Sequence, residues 1–163
     1  MVTKADFTAE EWQQVLVLPQ LAALVVVVAS PSGPVGIAKE MLATSKLIAE
    51  SLKATTGNAL VDAVVADLKE KAEKKEKIEP PEMSKERNEI IEQCLQAFRD
   101  VAALLAQKAP EGAEGYKQWV YQAAKLSSEA AKEGGFLGMG GTRVSEAEAA
   151  ALRAVAKELG ISV

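Results

Sequence analysis

Apolar positions recur at every third or fourth place along most of this chain, which is the spacing of amphipathic helices. The first helix signal is Phe7-Thr8-Ala9-Glu10-Glu11-Trp12. Thr8 as N-cap and Glu11 three residues on make a capping box, and Phe7 and Trp12 occupy the two staple positions around it. The run from Val15 to Ala29 is almost wholly apolar, interrupted by Pro19 and Gln20. A proline inside a helix lacks an amide hydrogen and crowds the preceding turn. The expectation is therefore a short helix near 9–17 and an apolar one near 19–29. Val25 to Val28 is β-branched and would suit a buried strand, but no partner strand is visible elsewhere, so helix is expected. The run falls short of the roughly 20 uninterrupted residues of a membrane span. A buried core helix is the preferred reading, with a membrane-inserted segment and a partner-binding surface as alternatives.

Ser30-Pro-Ser-Gly-Pro34 reads as a turn, with Pro34 opening the next helix. From Val35 to Thr55 a stripe of Ala38, Met41, Leu42, Ser45, Ile48, Ala49 and Leu52 is expected to share a face, and Gly57 ends it. Asn58 then caps a helix with Leu60, Val61, Val64, Val65 and Leu68 inward. This helix is expected to run out into the charged stretch Lys69–Glu79, supported by Glu70–Lys74 and Glu73–Lys77 pairs. Pro80-Pro81 is the clearest boundary and divides the helices into two groups of about three. Ser84 is expected to cap the next helix, whose core face is Ile91, Cys94, Leu95, Phe98, Val101, Ala102 and Leu105. Ala109-Pro-Glu-Gly112 turns the chain. A helix from about Ala113 to Glu133 follows, with Tyr116, Trp119, Val120, Ala123, Leu126, Ser127 and Ala130 on one face. Ser145 and Glu148 form a second capping box, and Ala149, Leu152, Val155, Ala156 and Leu159 form the last stripe. Gly160 sits where a helix commonly ends on a left-handed glycine.

One segment exceeds what a bundle needs. Gly134, Gly135, Gly138, Gly140 and Gly141 are interleaved with Phe136, Leu137 and Met139, and Arg143 follows. A glycine-rich loop entering a helix can cradle an anion or let two backbones approach closely. The P-loop and dinucleotide patterns are both absent. Glu146 and Glu148 would repel an anion at the helix start. The loop is expected to pack over the Ala/Ser-rich face of the preceding helix or to form a contact surface. Anion binding through Lys132 and Arg143 is the weaker alternative.

Composition narrows the chemistry. The chain has 163 residues, no histidine and a single cysteine, Cys94. Without histidine there is no imidazole base and no histidine metal ligand. A lone cysteine forms no internal disulfide, which fits a cytoplasmic location. Cys94 lies on an apolar stripe and reads as a core residue. The 23 acidic against 19 basic residues, a net charge of −4, make nucleic acid a poor partner. Asp62 and Asp67 lie on opposite flanks of one helix, and Glu89 and Glu92 lack the histidine of a di-iron set. No cofactor or metal is expected. Tyr116 and Trp119 read as core.

The closing segment, Gly-Gly-Phe-Leu-Gly-Met-Gly-Gly-Thr-Arg-Val-Ser-Glu-Ala-Glu and the Ala/Leu helix ending at Leu159-Gly160, resembles the last element of tellurite-resistance TerB-like helical domains. Ala29-Ser-Pro-Ser-Gly33 is loosely similar to the matching element in that family's first half. The resemblance implies an all-helical stress-response domain. Acidic turn residues are associated with metal binding in that family, but the turns here carry Ser30, Pro31, Ser32 or glycines, so no metal residue is carried over. The whole chain also resembles small bacterial helical proteins.

These readings predict one all-α domain over residues 1–163, a bundle of about six helices with a possible sub-boundary at 79–83. The expected function is non-enzymatic, an interaction or scaffold protein with a protein partner or self-association as a homodimer. Its contact loop would run from Gly134 to Arg143. The rival is a protein that binds a small apolar ligand or lipid in a pocket lined by Val15–Val28 and Trp119. A carboxylate enzyme is a weaker third.

Overall fold

The computed structural model describes residues 2–29, 42, 45–50, 53, 56–133 and 146–162. A 3-10 turn at Lys4–Asp6 leads into α1 (Ala9–Ala29). Then come α2 (Ala59–Glu73), α3 (Arg87–Lys108), α4 (Pro110–Glu133) and α5 (Glu146–Leu159), and residues 45–50 are helical as well. The protein is an all-α bundle. No strand occurs among the described residues.

The core is organised around α1, which packs against α4, α3 and α5. Val15, Leu16, Val17 and Leu18 are successive and all at most 4% exposed, so α1 is buried on every side along this stretch. That explains why its sequence shows no polar face. Its length and composition would suit a membrane span, but here 67% of that apolar window is buried within the bundle. Each fully buried Val or Leu contributes about 1.5–3 kcal/mol, so this helix carries much of the stability.

Pro19 corrects the expected break. α1 is one continuous helix with Pro19 inside it and buried. The lost bond is the one a residue-19 amide would give to the Val15 carbonyl. The Tyr116 hydroxyl of α4 donates to that carbonyl instead, at 2.6 Å. At the far end of α1 the Arg87 guanidinium donates to the Ala29 carbonyl at 2.6 Å, a cation at the negative pole of the helix.

The start of α1 matches its sequence. The Glu11 amide donates to Thr8 Oγ1 at 3.2 Å and the Thr8 amide to Glu11 Oε2 at 2.8 Å. The Phe7 and Trp12 rings lie 5.4 Å apart. Lys108 Nζ sits 2.5 Å from Glu11 and 5.8 Å from the Phe7 ring centre, tying the end of α3 to this corner. The sequence reading missed a second box just upstream, where Asp6 accepts from the Thr3 amide at 2.7 Å.

The stripe expected between 35 and 55 needs correction where it is described. Leu47 is buried, whereas Leu42 is 63% exposed and Ser45 and Ala49 are exposed. Ile48 of that stripe packs half-buried against the core, and Ala38, Met41 and Leu52 lie outside the described residues.

Helix α2 buries Leu60, Val61, Val64, Val65 and Leu68 as expected. Asn58 Oδ1 accepts from the Val61 amide at 3.1 Å, and its Nδ2 donates to the Gly112 carbonyl at 3.0 Å. The helix stops at Glu73 rather than running on to Glu79. Lys75 adopts a left-handed φ of 56°. The Lys75 amide then reaches the Ala72 carbonyl and the Glu76 amide the Lys71 carbonyl, a helix-ending motif normally built on glycine. Lys74 pairs with Glu70 at 2.5 Å as expected, but Glu73 pairs with Lys69 at 3.9 Å because Lys77 lies past the helix end.

Ser84 does not cap α3, whose N-cap is Glu86. Its hydroxyl instead accepts from the Glu86 amide at 3.1 Å and donates to the Glu89 carboxylate. Cys94, Phe98, Val101 and Leu105 form the buried face of α3, with Ile91 and Leu95 half-buried beside it. The expected turn at 109–112 shrinks to Ala109, because Pro110 starts α4, a position where its missing amide hydrogen costs nothing. Arg99 reaches Glu92 at 2.7 Å and Glu158 at 3.0 Å, bridging α3 to α5. In α5, Val155, Ala156 and Leu159 are buried, and Gly160 has a φ of 75°. Ile161 closes that end through its amide to the Ala156 carbonyl at 3.0 Å.

Candidate functional site

A groove of about 410 Å³ opens between α1, α3 and the non-helical connection that joins α2 to α3. Helix α1 supplies Gln13, Gln14, Val17 and Leu21, which share one face by helical spacing. Helix α3 supplies Gln93, Gln96, Ala97, Asp100 and Val101, again a single face. The third wall is Glu79, Pro81, Glu82 and Met83.

The third wall exists because of its prolines. Pro80 and Pro81 cannot donate backbone hydrogen bonds, and each favours an extended residue before it. The strand-like segment is tied at both ends. Gln13 Nε2 donates to the Glu79 carbonyl at 3.1 Å, and the Ser84 amide donates to Gln93 Oε1 at 2.9 Å. These bonds fix the connection beside α1 and α3 as the third wall of the groove.

The floor is apolar. Val17 and Leu21 are at most 4% exposed, and Val101 is buried with them. The rim is polar, made of amides and the acidic residues Glu79, Glu82 and Asp100. Asp100 Oδ1 accepts from Gln96 Nε2 at 2.8 Å. Among the described residues the lining holds no hydroxyl, thiol or amine side chain. Its chemistry is that of a receptor for an apolar body with a polar end, the usual make-up of a small-molecule pocket.

The residues singled out from sequence fall elsewhere. Cys94 is fully buried on the core face of α3. Asp62 and Asp67 do not converge. Asp62 accepts from the Thr56 hydroxyl at 2.9 Å, whereas Asp67 accepts from Trp12 Nε1 and Lys4 Nζ, each at 3.0 Å. Burial pushes the Asp67 carboxyl upward, but the hydrogen bonds from Trp12 and Lys4 outweigh it and hold the group below its ordinary value. Glu89 bonds Ser84, and Glu92 bonds Arg99. Among the described residues no three acidic, cysteine or histidine groups gather as a metal site. Tyr116 and Trp119 are buried with ring centres 6.1 Å apart, and Trp119 does not line the groove.

The expected contact loop, Gly134, Gly135, Phe136, Leu137, Gly138, Met139, Gly140, Gly141 and Arg143, lies outside the described residues, as does Ser145. On the Ala/Ser-rich face of α4, the bonding partners among the described residues are α1 and α5. Ala123, Ala124, Ser127 and Ser128 are all buried, with Ser127 Oγ 3.4 Å from the Ala23 carbonyl and Ser128 Oγ 3.4 Å from Glu148. The sequence reading placed a pocket on the Val15–Val28 segment, and Val17 and Leu21 do line the groove. It missed the glutamines and the proline wall. Pro80-Pro81 between two helices was the visible signal, read only as a boundary. Compared with known protein families, curated proteins and solved structures, the chain matches none.

Proposed function

We propose that this protein is a non-catalytic binding protein that holds a small apolar ligand in the groove between α1, α3 and the Glu79–Met83 wall. The observation that carries the reading is the groove itself. Its volume of about 410 Å³ falls within the range of small-molecule sites, and its floor is apolar beneath a polar rim. Among the readings open from sequence, this favours apolar-ligand binding over an interaction scaffold. The scaffold reading drew on the glycine loop, which lies outside the described residues, and on the small face of α4, where Ser127 and Ser128 bond to α1 and α5.

The test is binding of a neutral, environment-sensitive dye such as Nile red to the purified protein, together with native mass spectrometry for retained small molecules. Ala97→Leu places a larger side chain in the groove. It is expected to abolish dye binding while leaving the melting temperature within a few degrees of wild type. Dye binding that survives Ala97→Leu unchanged places the ligand elsewhere, and no dye binding at all removes the reading.

A further inference from the structure

Resting on that reading, we infer that the ligand is a cationic amphiphile, a short apolar chain ending in a protonated or quaternary amine. Two observations point to a positive head. Among the described residues the lining includes Glu79, Glu82 and Asp100 but no lysine or arginine. Two of the four rim glutamines also turn an amide hydrogen onto neighbouring protein oxygens. Gln13 Nε2 serves the Glu79 carbonyl at 3.1 Å, and Gln96 Nε2 serves Asp100 at 2.8 Å. What remains at the mouth is rich in acceptors and negative charge. A carboxylate or phosphate head would meet like charge there, which is repulsive. A cationic head is attracted, and its chain covers Val17, Leu21 and Val101 on the floor.

Isothermal calorimetry below the micelle concentration separates the possibilities, using decyltrimethylammonium, decanol and decanoate as probes. The chain is the same in all three, so affinity differences report the head. Decyltrimethylammonium is expected to bind at least about fivefold more tightly than decanol, the sum of modest exposed charge terms, and decanoate more weakly than either. Glu82→Gln and Asp100→Asn are each expected to lower the cation-to-alcohol ratio about twofold. The preference should shrink as salt rises. Glu129→Gln, exposed on α4 away from the groove, removes the same unit of charge and should leave the ratio intact. Equal binding of cation and alcohol overturns the inference and leaves the groove reading standing. So does a Glu129→Gln effect as large as those of the groove variants, since it reduces the preference to bulk charge. Failure of all three probes overturns both.

Discussion

Tyr116 donates its hydroxyl hydrogen to the Val15 carbonyl at 2.6 Å, across from the proline nitrogen that cannot. Val15 lies four residues before Pro19, so its carbonyl is the one left without an intrahelical partner. Tyr116 is fully buried. Tyr116→Phe strands a buried carbonyl and is expected to cost about 1–3 kcal/mol. Pro19→Ala restores an amide at that position. It should therefore stabilise the Tyr116→Phe protein by about 1 kcal/mol more than it stabilises wild type. Denaturant midpoints of the four proteins measure this coupling, and strictly additive effects would show that the two residues are independent.

That pair also marks where sequence reasoning ends. The helices were legible because periodicity, capping boxes and C-terminal glycines are local signals, as at Thr8–Glu11, Asn58 and Gly160. Pro19 misled because its compensating hydroxyl stands 101 residues away from Val15 in sequence. The end of α2 was overrun because Lys75 in a left-handed conformation carries no compositional mark. The groove was half legible. Val17 and Leu21 stand in the apolar run, but Gln13, Gln93 and Gln96 look like ordinary surface until the proline wall is bonded to two of them.

The same phenol predicts an alkaline limit. Burial pushes the Tyr116 pKa well above its ordinary value. The folded state therefore keeps a proton that the unfolded chain releases above about pH 10. Stability from this group is complete below that pH and declines as pH rises past it. Near-ultraviolet phenolate absorbance should show the Tyr116 step only together with loss of helical circular dichroism. A phenolate step for Tyr116 in the still-folded protein would contradict its burial.

Asp67 sets the acid side. Trp12 and Lys4 hold its carboxyl below the ordinary value despite burial, so its contribution is complete above about pH 4 and is lost as pH falls through the lower folded value. Its side chain is 10% exposed, but Lys4 is 59% exposed, which limits the ion pair's share. Asp67→Asn keeps an acceptor for Trp12 and removes the charge. It should cost about 1 kcal/mol at neutral pH and flatten the stability profile below pH 4. An unchanged acid limb in urea titrations from pH 6 to pH 2 would exclude Asp67 as a contributor.

Lys75 stores strain that can be released. Its φ of 56° belongs to the region that side-chain-bearing residues rarely adopt, and the turn it makes ends α2. Glycine adopts this angle without the Cβ penalty. Lys75→Gly is expected to raise stability by about 1 kcal/mol, visible as a higher denaturant midpoint at an unchanged slope. Destabilisation would mean that α2 does not end on this residue.

Gly115 tests how α4 is held against the cap of α2. A Cβ at Gly115 would lie 2.2 Å from Asn58 Nδ2, and one at Gly112 would lie 3.1 Å from Leu60 Cβ. The closeness is what lets Asn58 cap α2 with Oδ1 and reach the Gly112 carbonyl with Nδ2 in one conformation. Gly115→Ala forces Asn58 to move, breaking both bonds, and is expected to cost about 1–3 kcal/mol despite alanine's better helix propensity. Asn58→Ala alone should cost about 1 kcal/mol, the usual value of such a cap. With the asparagine gone, Gly115→Ala meets no obstacle, so the double variant should be about as stable as Asn58→Ala or slightly better. Thermal and urea unfolding of the three variants decide it. A Gly115→Ala penalty that persists in full without Asn58 would place its cause in some other contact of α4.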